Sequence, residues 1–457
     1  MRKFLKIDWI VMLCSILLIG MGLFTLYSLT LTNLEGRQAF FQKEFISQLI
    51  FTLTGVIISI IIFNIPAAYF RFKIVLGFIF VFTSSLLIAT LLFGINVNGA
   101  KRWIAIGGSD GITIQASEFT KITVIVITSA LLSYASKESL TSKSFVSKIK
   151  ELLFNKKYLF IALLLNFILI SLIYAQSSLS VITIIVTVIA SILFANSQNK
   201  TQSILIVVSF IITFLMSQNI LFKFSGLTKS VFFVTSLCIY TFSVYSKSIN
   251  YRFIFTSIAL GIISGAFILN FAWNHLISDY QKARVEAALS QNRDAQKEGF
   301  QQEQSKQSTG GGKVFGHGFR QISDSRLLNQ PEPTTDFIFS IFAFKFGFIG
   351  SFIMIAVYLG LILRLFYLAD EMNDRFSSLI LIGTATMILA QFFSSIGINL
   401  DILPVGGTTL PLISAGGSSL LTIMISLAIC QNVISSSKTD RNIHHRRDRV
   451  VINGWNA

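Results

Sequence analysis

Polar and apolar positions along this chain come in long blocks. Apolar windows fall near residues 9–30, 44–64, 74–94, 117–135, 158–175, 179–196, 203–221, 230–246, 252–272, 337–360, 377–397 and 411–435. Most approach the roughly 20 residues that an α-helix needs to cross a hydrocarbon core. The pattern predicts an all-α polytopic membrane protein with up to twelve transmembrane helices. Short polar breaks separate most windows, so sequence neighbours should run antiparallel. Residues 273–336 are the exception, a long polar segment with equal numbers of acids and bases and a glycine cluster at Gly310, Gly311, Gly312, Gly316 and Gly318. Loops of such length inside a compact fold are functional or disordered. Within it, Tyr280–Gln291 reads as a short helix with Lys282 and Glu286 at i,i+4. Residues 299–318 read as too Gly-rich for regular structure.

Charge sets the orientation. One set of short loops and both termini collect Arg2, Lys3, Lys6, Arg71, Lys73, the lysines from Lys137 to Lys157, Lys200, Lys247, Arg252, Arg364, Arg375 and the tail arginines. The opposite short loops hold Arg37, Lys43, Lys101, Arg102, Lys223 and Lys229. By the positive-inside bias, both termini are expected in the cytoplasm and 273–336 outside. The first window follows Met1-Arg2-Lys3 but is longer than a signal h-region, with no convincing small-residue cleavage site, so it is expected as a retained helix. Residues 1–435 read as one membrane domain, and 436–457 as a basic cytoplasmic tail without fixed structure.

Composition excludes a soluble enzyme: 53% of residues are hydrophobic, 13% are charged and the mean hydropathy is +0.71. A net charge of +16 would point to nucleic acid in a soluble protein. Here the charge sits in short loops, which fits anionic lipid and no nucleic acid. Cys14, Cys238 and Cys430 all lie in apolar runs without metal or redox spacing, so packing is their expected role.

Four constellations carry candidate chemistry. Lys101-Arg102-Trp103 places two cations on the expected outer side, against the charge bias. They read either as a clamp on phosphate oxygens or as snorkelling cations beside an interfacial Trp. Ser117-Glu118-Phe119-Thr120-Lys121 opens a span, with Ser117 as an expected N-cap and Glu118 and Lys121 spaced i,i+3 for mutual neutralisation. Asp294, beside Arg293 and Lys297 and ahead of Gly299, reads as a general base or as a solvated loop acid. Leu403–Ser419 mixes Pro404, Gly406, Gly407, Pro411, Gly416 and Gly417 into an apolar stretch. Irregular backbone at membrane depth survives only where protein or a polar cavity satisfies it, so a re-entrant element facing a cavity is expected.

Taken together, these stretches resemble the SEDS family (FtsW, RodA, SpoVE), the bacterial membrane peptidoglycan polymerases, over roughly residues 8–435. The family order of Gly-Ala-basic-Arg-Trp-Ile, Ser-Glu-x-x-Lys, a long outer loop, Thr-Asp-Phe-Ile-Phe and Leu-Pro-x-x-Ser-x-Gly-Gly-Ser-Ser is present. Within the loop, the family's Asp, Gly-Tyr-Gln and Gln-Ser steps match Asp294, Gly299-Phe300-Gln301 and Gln304-Ser305 without a gap. The resemblance implies that Asp294 is the essential catalytic carboxylate. Lys101, Arg102, Trp103, Glu118, Lys121 and Arg284 would line the same outward cavity. The matching motifs extend the expected substrate site to Gln304, Ser305, Lys306, Thr335, Asp336, Ser414, Gly416, Gly417 and Ser418.

The family's usual ten spans set the expected number at ten to twelve. The chain departs from the pattern at Ala116, Gln291 and Ala295, where prolines are usual, near Lys345, where Glu is usual, and at Ala415, where Tyr is usual. It looks like a divergent member. A Gln-Pro-Asp-Leu-Gly step has its counterpart either at Gln176–Ser180 or near Gly226–Ser230.

The implied substrate is lipid II, a disaccharide-peptide on polyprenyl pyrophosphate, and the implied reaction is its polymerisation for division or elongation in the bacterial cytoplasmic (inner) membrane. Implied partners are a class B penicillin-binding protein and other divisome or elongasome membrane proteins. A sugar hydroxyl is a poor nucleophile, so a carboxylate must take its proton, and cations, with Mg²⁺ or another divalent ion as an option, must meet the leaving pyrophosphate. No carboxylate pair with metal spacing is visible, and no organic cofactor is implied. A flippase of lipid-linked precursors shares the broken helices and cavity charges, and an inactive scaffold that recruits a synthase is the third alternative.

Overall fold

The computed structural model describes residues 6–31, 38–97, 100–106, 112–137, 145–196, 298–319, 333–403 and 406–454. The chain divides into two units, Met1–Ile192 with Gln301–Ala457, and Leu193–Phe300. Only the two ends of the second are described, so the architecture below is that of the first. The windows at 203–221, 230–246 and 252–272, the helix expected over Tyr280–Gln291, and both Arg284 and Asp294 lie outside the described residues.

The helices are α1 (Trp9–Thr30), α2 (Gln38–Asn64), α3 (Lys73–Phe93), α4 (Ala116–Lys137), α5 (Phe145–Ala175), α6 (Leu179–Asn196), α7 (Glu298–Gly311), α8 (Ile338–Glu371), α9 (Arg375–Asn399) and α10 (Gly417–Gly454). Among the described residues eight helices are long and apolar enough to cross a membrane, and α6 is a shorter apolar helix beside them. The polytopic helical architecture read from the apolar windows is the one observed.

Burial separates centre from periphery. The apolar stretches of α4 and α10 are 89% and 83% buried, against 17–28% for α1, α2, α3 and α5. The peripheral helices expose Phe78, Phe82, Ile57 and Leu53, as lipid-facing surfaces do. Polar pairs join helices inside this framework, as between the hydroxyls of Thr83 and Thr123 (2.7 Å) and from Asn166 to Thr128 (2.9 Å).

One face is fixed by charge. Asp8 caps α1 by accepting from the Val11 amide at 3.2 Å. The Arg364 guanidinium forks onto both Asp8 oxygens, 2.7 Å at the shortest, while Gln431 brackets the Asp8 backbone N–H and C=O, each at 2.9 Å. Nearby, Asp374 caps α9 through Ser377 and pairs with Arg71, whose guanidinium lies 4.7 Å from the Phe376 ring centroid. On this face Ile62 and Phe63 of α2, with Ile65 just beyond it, give three carbonyls to one amide, Asn432, at 2.5–3.2 Å. Helices α1, α2, α8, α9 and α10 are thereby locked together on this face.

The structure adds one element and corrects three expectations. The added element is a small antiparallel ribbon, β1 (Ile95–Val97), β2 (Ala100–Ile106) and β3 (Ile112–Ile114), with Ile95 opposite Trp103 and Ile104 opposite Ile114. The segment is too short for a span and its alternating Ile positions suit strands. Helix α7 occupies much of the stretch read as irregular, because Gln301–Gln307 is rich in the helix formers Gln, Glu and Lys and the glycines of α7 fall in its first and last turns, at Gly299, Gly310 and Gly311. The tail expected to lack structure continues α10 to Gly454, since no Gly or Pro interrupts the chain between Ser418 and Asn453. Finally, α4 begins at Ala116, so Ser117 sits inside its first turn and does not cap it. Its hydroxyl is buried and lacks a hydrogen-bond partner among the described residues.

Helix α8 is broken at Gly347, whose φ of 67° is left-handed. Residues 313–318 close the gap. Lys313 and Val314 carbonyls accept from the Phe348 and Ile349 amides (2.9 and 3.2 Å), and the His317 and Gly318 amides donate to the Phe344 and Lys345 carbonyls (3.1 and 3.0 Å). The His317 ring stacks on Phe344 at 4.2 Å. Lys345 is fully buried there, donating to the Ser28 hydroxyl at 2.6 Å and the Phe319 carbonyl at 3.3 Å.

Candidate active site

The face opposite Asp8 gathers the sequence motifs. Two lines of contact run across it and meet at the turn Thr334–Phe337, just before α8.

The first line starts on β2. Lys101 is exposed, while Arg102 and Trp103 are half-buried. Arg102 donates from Nη2 to the Ser177 carbonyl at 2.5 Å and from Nε to the Gln176 carbonyl at 3.3 Å. It thereby holds the α5–α6 turn, in which Ser177 has a left-handed φ of 58°. The Gln176 amide reaches the Leu87 carbonyl at 3.0 Å, and the Ser180 hydroxyl donates to the Gly406 carbonyl. Gly407, with φ 67°, faces the buried Asp336 carboxylate. Of the two candidate counterparts for the family's Gln-Pro-Asp-Leu-Gly step, Gln176–Ser180 is therefore on this face, and Gly226–Ser230 is outside the described residues.

The second line starts on α4. Lys121 donates to both carboxylate oxygens of Glu118 at 2.7 and 2.8 Å, and both residues are buried. One turn earlier the Gln115 amide donates to the Ser418 hydroxyl at 2.9 Å, tying the start of α4 to the start of α10. A methyl group at Gly417 would stand 2.2 Å from the Phe51 ring, so any side chain at the head of α10 would have to displace that ring. Gln48 of α2 reaches into the irregular segment from Gly406 to Gly416, donating to the Ser414 carbonyl (2.9 Å) and accepting from the Gly416 amide (3.2 Å). The Ser414 hydroxyl spans Leu410 N and Thr335 O at 2.8 and 2.6 Å, and the Ala415 amide donates to Thr334 O at 3.0 Å. Tyr358, fully buried, donates to the Pro411 carbonyl. The broken backbone expected at this depth is thus satisfied by protein.

The family model described as cell cycle protein, FtsW/RodA/SpoVE, matches residues 8–234 and 226–439. The chain belongs to that family. It is 27% identical over 441 residues to the Treponema pallidum protein named peptidoglycan glycosyltransferase RodA, covering 93% of this chain and 97% of that one. It is 26% identical over 438 residues to stage V sporulation protein E of Bacillus subtilis, with 94% and 98% covered. A solved chain from a peptidoglycan synthase complex aligns with a TM-score of 0.60 at 19% identity, over 94% of this chain and 98% of that one. This last likeness speaks for the fold, that of a multi-pass membrane protein.

In this FtsW/RodA/SpoVE member, the positions read from sequence as substrate contacts divide. Lys101 and Lys306 are exposed, Gln304 and Thr335 are half-buried, and Ser305, Asp336, Ser414 and Ser418 are buried. The expected cavity hydroxyls of Ser414 and Ser418 are engaged with protein partners, so they shape the site's wall. Among the described residues no three His, Cys, Asp or Glu side chains cluster to hold a metal ion. Gln48, Tyr358 and Asn399 were missed by the sequence reading. A lone Gln inside the apolar window 44–64 was the available signal for the first of them.

Proposed function

We propose that this chain is a peptidoglycan glycosyltransferase that polymerises lipid II at the outer face of the bacterial cytoplasmic membrane, with both termini cytoplasmic. The observation that carries the reading is the convergence of the two contact lines, built from four separate family motifs, on the Thr334–Phe337 turn. Helix α7, whose first residue follows Asp294 by four positions, packs beside that turn through Ser305 and Asn399.

In this reading Asp294 takes the proton from the attacking sugar hydroxyl as the bond to the donor's anomeric carbon forms. Polyprenyl pyrophosphate leaves with the electron pair, and the exposed Lys101 ammonium meets its charge. Arg102 shapes the adjoining turn. The glycan strand so made would be handed to a class B penicillin-binding protein for cross-linking.

The test is chain growth from fluorescent lipid II by the purified protein with its cognate partner, with the Asp294→Asn variant as control. Polymer from the parental protein and none from the variant is expected. Polymer from both would overturn the assignment of Asp294, and polymer from neither would return the flippase and scaffold alternatives.

A further inference from the structure

Asn399, the last residue of α9, is fully buried and uses all four hydrogen-bonding positions of its side-chain amide. Its Nδ2 donates to the Asp336 carbonyl and to the Ser395 carbonyl, each at 2.8 Å. Its Oδ1 accepts from the Ser340 amide at 3.0 Å and lies 3.3 Å from the Ser305 hydroxyl. That hydroxyl also lies 3.1 Å from the Asn399 backbone carbonyl. Two carbonyls on one side and an N–H on the other fix which way the amide faces. Aspartate would lack both donors and serine would lack the reach.

Three pieces of the candidate site therefore meet at one side chain: the Thr334–Phe337 turn through Asp336, the start of α8 through Ser340, and α7 through Ser305. Helix α7 has no apolar stripe to bury. Its buried positions include Gln302, Ser305 and Ser308, while Glu303, Lys306 and Gln307 are exposed. A polar helix of this kind is docked by directional bonds. The second of these comes from Gln302, which donates to the Leu403 carbonyl at 2.6 Å, again just beyond α9.

We propose that Asn399 is a positioning residue that docks α7 against the Thr334–Phe337 turn. The proposal rests on the glycosyltransferase reading for its kinetic consequence, and its docking half stands apart from that reading. Asn399 touches no reacting atom. It acts by holding α7 in register with that turn, and in a catalytic site a displacement of about 1 Å costs on the order of a hundredfold in rate.

The experiment uses the full-length protein in lipid nanodiscs, with fluorescent lipid II as probe and amide hydrogen exchange of α7 read on the same preparations. Ser305→Ala removes only the α7 link and leaves Asn399's bonds to Asp336, Ser395 and Ser340. It should lower kcat about tenfold or more, leave KM within about twofold and speed exchange of the α7 amides about tenfold. Ser305→Thr, which keeps the hydroxyl, should restore both. Asn399→Ala should give the larger loss, and if it does not fold, Ser305→Ala carries the test.

A raised KM at constant kcat would make Ser305 a substrate contact and overturn the proposal. So would a fall in kcat with α7 exchange unchanged, or parental values throughout. If the parental protein makes no polymer, the glycosyltransferase reading fails, and unchanged α7 exchange in Ser305→Ala would still overturn the docking.

Discussion

The Lys121 ammonium donates to both oxygens of the Glu118 carboxylate, at 2.7 and 2.8 Å, with both side chains nearly removed from solvent. Removing one partner leaves an uncompensated buried charge, typically costing about 3–5 kcal/mol, whereas neutral isosteres at both sites are often tolerated. Glu118→Gln and Lys121→Met should each lower the thermal unfolding temperature in detergent, and the double variant should recover most of the loss. Polymerisation that stays lost in the stable double variant would show that the pair also serves substrate. Recovery of both would leave it a structural pair.

Removing a general base typically costs on the order of 10²–10⁴ in rate. Asp294→Asn should lose glycan synthesis to that extent with unfolding temperature and partner binding unchanged, whereas Asp279→Asn and Asp324→Asn should be mild. Rates of lipid II consumption decide it.

The two outer cations should separate. Arg102→Ala leaves the Gln176 and Ser177 carbonyls without their donor, and the pair is partly exposed, so about 1 kcal/mol of stability should go with the activity. Lys101→Ala, on an exposed residue, should leave unfolding unchanged and weaken turnover of lipid II. Unchanged kinetics in Lys101→Ala would make it a headgroup anchor.

Topology is open to direct labelling in a cysteine-free background. A cysteine at the exposed Gln307 should react with an impermeant reagent in whole cells, and one at Ser437 only after permeabilisation. The reverse pattern would invert the orientation.

Much of this was legible from residue type because bilayers are undemanding readers: apolar length alone located the described spans. The Glu118–Lys121 pair was visible for the same reason, since i,i+3 spacing needs no tertiary knowledge. The ribbon at Ile95–Ile114 was not, because its strands are short and their partner choice is non-local. Helix α7 was hidden by the glycines that end it. Asn399 was hidden most completely. A single Asn at a helix terminus has an ordinary local explanation, and its role depends on partners 59 to 94 positions away.

The repaired break in α8 has a consequence for handling the protein. Residues 313–318 supply hydrogen bonds that a membrane helix would otherwise draw from its own next turn, and each such group left bare in hydrocarbon costs several kcal/mol. An epitope tag or protease site inserted there would therefore be felt as damage to a transmembrane helix, although on paper it lies in a polar loop. The neighbouring Glu303 and Gln307, whose side chains look outward from α7, are the positions to choose for reporters.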